Sequence, residues 1–105
     1  MEQERAEKAL SYLVETDKEH ARAKAEFKAN EALTKTILAY EFREAEGSGE
    51  LRKATSYSSE TYQAHIKKIE LLEIGLQTMY NRRDTARQII EMYRTASANT
   101  RKGNI

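Results

Sequence analysis

The sequence predicts an all-α protein: a long antiparallel helical hairpin with a short N-terminal helix, self-associating through coiled-coil-like packing. Three observations point to it. No proline interrupts the 105 residues, and proline is the strongest helix breaker. Two of the four glycines fall together, in the stretch EGSGE at 46–50, where a corner is expected because glycine commonly ends helices. From Tyr62 onward, apolar residues recur in alternating steps of three and four, the spacing of a helix with one sticky stripe.

The elements follow in order. Residues 3–14 read as a short leading helix, apolar at Leu10, Leu13 and Val14. Thr16 with Glu19 three residues later has capping-box spacing, so a new helix is expected over about 17–46. This arm is rich in alanine, a strong helix former that buries little area; Phe27, Leu33, Ile37, Leu38, Tyr40 and Phe42 are its larger anchors. Residues 47–58 are expected to form the corner. Ser58 or Ser59 caps the second arm, with Glu60 facing the positive end of the helix dipole, and that arm runs over about 59–97. Its stripe is Tyr62, His65, Ile69, Leu72, Leu76, Met79, Arg83, Ala86, Ile90 and Tyr93. Residues 1–98 thus read as one helical domain. Residues 99–105, with turn residues, charge and no periodicity, read as a flexible tail.

A second apolar ridge, Ile66, Ile74, Tyr80 and Ile89, flanks the stripe. One facing arm covers one stripe, so the ridge needs further cover. Self-association supplies it, and a small two-arm core favours that solution; the alternative is a short N-terminal helix folded back as a third layer. The expected oligomer interface is Tyr62, Ile66, Ile69, Leu72, Leu76, Met79, Ile90 and Tyr93.

Composition excludes several classes of function. Cysteine is absent, so there is no disulfide, thiolate nucleophile or thiolate metal site. No apolar run approaches the ~20 residues of a membrane span, and the charged start MEQERAEKAL does not resemble a secretory signal; a cytoplasmic protein is expected. His20 and His65 stand on different arms, and Glu70 with Glu73 lacks the histidine of a di-metal helix motif. No metal or cofactor is expected. His65 reads as a polar stripe residue that sets register. The serines at 56, 58 and 59 are accounted for by capping, and GSG is too short for a phosphate-binding loop. No catalytic residues emerge, and an enzyme is not expected.

Charge is more informative. The net charge is only +1, but residues 80–102 hold six Lys or Arg against two acids. Arg83, Arg87 and Arg94 step by four and seven, with Arg82 beside them; Arg101 and Lys102 extend the charge, and Lys67 and Lys68 add to it upstream. Cationic grooves with aromatic faces hold single-stranded nucleic acid, and Tyr80 offers such a face. The same cations also complement the dipole at a helix C-terminus. Arg83 lies on the stripe, where Asp17, Glu19 or Glu26 of the facing arm is a possible ion-pair partner.

A family resemblance adds to this. ARAKAEFKANEALTK running into AYEF, the Gly47-Ser48-Gly49 turn, the segment SYSSETYQ and the spacing Arg83, Ala86, Ile90, Arg94 resemble the phage recombination mediators of the UvsY type. The similarity is patchy over about residues 9–96, and Ile37 stands where the family has the arginine of a Lys-x-Arg pair. The resemblance implies a phage-type accessory protein in the host cell cytoplasm. It would bind single-stranded DNA as a homo-oligomer, without sequence specificity, and assist recombinase loading onto strands coated by single-strand-binding protein. The other expectation, from a different class, is a helical protein–protein interaction adaptor, or inhibitor of a host factor, that binds no nucleic acid.

Overall fold

The computed structural model describes residues 2–103. It is an all-α helical hairpin of α1 (Glu2–Glu44), α2 (Gly49–Ser58) and α3 (Glu60–Gly103), with no strand among the described residues. The expected break near residue 16 is absent: α1 runs unbroken through it. Thr16 does not cap a helix. Its hydroxyl donates to the carbonyl of Tyr12 at 2.7 Å, the bond by which a mid-helix threonine satisfies itself.

The expected corner at 47–58 contains a helix of its own, α2. Gly47 takes φ 107°, and a Cβ there would meet Leu51 Cδ2 at 2.6 Å, so this position requires glycine. Ser48 then caps α2, its Oγ accepting from the Leu51 amide at 3.2 Å. Ser59 is the only residue between α2 and α3. It is extended, and its Oγ both donates to Ser56 O and accepts from the Tyr62 amide. The second arm therefore starts at the expected cap. It ends later than expected, since residues 99–103 continue α3 rather than forming a tail; residues 104 and 105 of that tail lie outside the described residues. Nothing breaks the helix before Gly103, and Arg101 and Lys102 in its last turn suit the dipole.

The hairpin divides into two compact units, one made of Met1–Ala21 with Gln77–Ile105 and the other of Arg22–Leu76. Every residue of the α3 stripe, from Tyr62 to Tyr93, is buried or half-buried within the single chain. The matching stripe on α1 is Ala6, Ala9, Leu13, Thr16, His20, Ala23, Phe27, Asn30, Thr34, Ile37 and Glu41, also buried or half-buried, and also stepped by three and four until its end. Both helices thus carry the periodicity of an antiparallel coiled coil.

One polar residue of the α3 stripe reaches across to α1 in each unit. His65 Nε2 lies 3.0 Å from Thr34 Oγ1, and Arg83 Nη1 donates to Thr16 Oγ1 at 2.6 Å. Thr16 and Thr34 are as far apart on α1 as Arg83 and His65 are on α3. The stripe expected at an oligomer interface is therefore at least partly occupied inside the chain. Ile66, which lies off the stripe, is exposed.

Candidate nucleic-acid interface

Arg83 must be removed from the expected DNA-contacting set. It is 5% exposed. Its Nη1 donates to Leu13 O at 2.9 Å and to Thr16 Oγ1, and its Nη2 reaches Asp17 Oδ1 at 3.3 Å. Its Nε is buried without a partner. A guanidinium whose donors are turned inward has nothing left to offer a phosphate. The stripe position explains this, because residues at such positions face the other helix.

The remaining arginines separate onto the two flanks of the stripe. Arg82 precedes a stripe residue, whereas Arg87 and Arg94 each follow one, so they point to opposite sides of the α1–α3 pair. On the Arg82 side is an open groove of about 420 Å³, lined by Arg5, Lys8, Ala9, Tyr12, Arg82, Thr85, Ala86 and Ile89. Three of these residues are cations and none is an acid. Lys8 Nζ also lies 3.5 Å from Glu4 Oε1, with both side chains exposed; a pair of this kind is weak and screened by salt. Ala9 and Ala86 are small enough for the groove to form between the helices. Tyr12 is half-buried and contributes an aromatic ring to the wall.

The other flank has a mixed rim. Arg87 and Arg94 line it together with Glu7 and Glu91, and Arg94 Nη1 is paired with Glu91 Oε1 at 3.1 Å. The expected run of arginines along one stripe is thus distributed over an interior position and two outer faces. Tyr80, Arg101 and Lys102 are exposed. Lys67 and Lys68 are exposed in the other unit.

Arg5, Lys8 and Tyr12 had not been singled out in the sequence. They lie about 75 residues before Arg82 and its neighbours, and only the antiparallel register brings them together. Among the described residues, no group of three or more His, Asp or Glu gathers as a metal ion requires, and no helix is long and apolar enough to cross a membrane. Comparison with protein-family models, curated proteins and solved structures finds no match to this chain.

Proposed function

We propose that this chain is a recombination accessory protein of the UvsY type, which binds single-stranded DNA as a homo-oligomer and assists recombinase loading. The supporting observation is the acid-free groove of Arg5, Lys8 and Arg82 beside Tyr12. Phosphates along a strand meet spaced cations there, and a tyrosine ring offers a base a sequence-tolerant surface. Each copy neutralises only a few charges, and several copies on one strand multiply that weak hold. A recombinase and a single-strand-binding protein are the implied protein partners, and the role is structural rather than catalytic.

A salt titration with a labelled oligonucleotide tests the reading. The logarithm of affinity should fall with the logarithm of salt, by roughly 0.7 for each phosphate neutralised on a single strand. Replacing Arg5, Lys8 and Arg82 by Glu should weaken binding at least ~10-fold through lost charge without loss of helicity. No binding in dilute buffer, or binding indifferent to salt, would sink the proposal.

A second reading, the helical adaptor or host-factor inhibitor, is favoured by the outer face of α3 in the Arg22–Leu76 unit. Leu71 is 62% exposed and Ile74 is 55% exposed, one turn apart, an arrangement that suits a hydrophobic groove on a partner. A monomer without affinity for DNA would favour that reading.

A further inference from the structure

The groove on the Arg87 side has a different character from its basic counterpart. Its volume is about 590 Å³, and Ala6, Leu10, Leu13, Ile90 and Tyr93 form its apolar wall. The cause lies in the α1 stripe, which offers only Ala6 and Ala9 near its start and leaves space that larger residues would fill. Glu7, Glu91, Arg87 and Arg94 make the rim. Leu10 and Val14 stand one turn apart on α1, 56% and 71% exposed.

We propose that a second copy of this chain packs on this groove, the two copies related by a twofold axis. The rim carries both signs of charge in equal number, so it complements itself when rotated onto a copy. Arg87 has no ion-pair partner among the described residues, and the hydrogen bond of the Glu7 carboxylate comes from neighbouring Gln3. In the pair, Glu7 of one copy faces Arg87 of the other, and Leu10 with Val14 supplies the apolar contact. A uniformly acidic or basic partner would leave half of this rim unanswered.

The surface area agrees. The chain exposes 8251 Å², against about 6,000 Å² for a compact monomer of 12.1 kDa. The excess, roughly 2,000 Å², is more than the ~800 Å² that each partner gives up in a standard interface. Pairing through this flank leaves the Arg82 groove open on the other. The inference rests on the self-association in the proposed function and specifies where it occurs; it does not depend on DNA binding.

The test is the solution mass of the full chain at micromolar concentration, by light scattering or sedimentation. The wild type should show two chains or an even multiple. Leu10→Glu with Val14→Glu should reduce this to one chain with far-ultraviolet circular dichroism unchanged, since both side chains are mostly exposed. Leu71→Glu, in the other unit, should leave the mass unaltered. Glu7→Arg alone, or Arg87→Glu alone, should weaken association roughly tenfold through like-charge contact, and the two together should restore it. If the leucine and valine changes cost helicity, the charge exchange decides the matter alone. A wild type of single-chain mass removes self-association altogether. An oligomer that survives Leu10→Glu with Val14→Glu, one that is lost with Leu71→Glu, or a charge exchange that fails to rescue, removes this face but leaves self-association standing.

Discussion

Arg83 and His65 occupy equivalent places on the α3 stripe, one in each unit, and each reaches a threonine on α1. Their surroundings differ. His65 makes one contact, to the Thr34 hydroxyl. Arg83 brings a full charge to a nearly buried site, takes three acceptors, and still leaves Nε without one. Its carboxylate partner, Asp17, keeps 81% of its side chain in solvent. The arginine is therefore held mainly by short bonds to a carbonyl and a hydroxyl, and the distant half of the ion pair adds little. A polar group on a stripe of this kind fixes register at some cost to stability. The difference shows two ways of doing so, one inexpensive to remove and one not.

The largest effect is expected where the contrast is sharpest. Arg83→Ala deletes three hydrogen bonds and the packing of a long aliphatic stem, and should cost about 2–3 kcal/mol. This is read from urea unfolding at fixed protein concentration, because association itself shifts apparent stability. Next comes His65→Leu, with the opposite sign: a single hydrogen bond gives way to apolar burial, and stability should rise by about 1 kcal/mol. A comparable loss would mean that His65 is held as firmly as Arg83. Smallest is Asp17→Asn, expected to change stability by less than about 0.5 kcal/mol, as for exposed ion pairs. Should it match Arg83→Ala, the carboxylate rather than Leu13 O and Thr16 holds the guanidinium.

The hairpin and the α3 stripe were legible because large apolar residues mark one face at a constant period. Its partner stripe on α1 was not, since Ala6, Ala9, Thr16, Ala23, Asn30 and Thr34 are small or polar, and hydrophobicity does not distinguish them from a solvated face. Thr16 was misread for a related reason: a threonine followed by Glu19 has the spacing of a cap, whereas its hydroxyl bonds back within an unbroken turn. The corner was placed from its paired glycines, without a helix inside it. Ser48 before Glu50 was the available signal for α2, being a cap followed by an acid. At the candidate site, charge composition identified Arg82 but could not separate it from Arg83, because adjacent residues on a helix differ by about 100° in direction. The distinction lay in the stripe position, which for Arg83 was already apparent from the sequence.

Gln3, near the start of α1, and Arg94, near the end of α3, line the same groove. A fluorophore, purification handle or surface linker attached just ahead of Gln3 would thus crowd the place where a second copy is expected, and would turn an assembling sample into a monomeric one. A label at Gly49, in the other unit and with open space around its Cβ position, would report on the molecule without obstructing that contact.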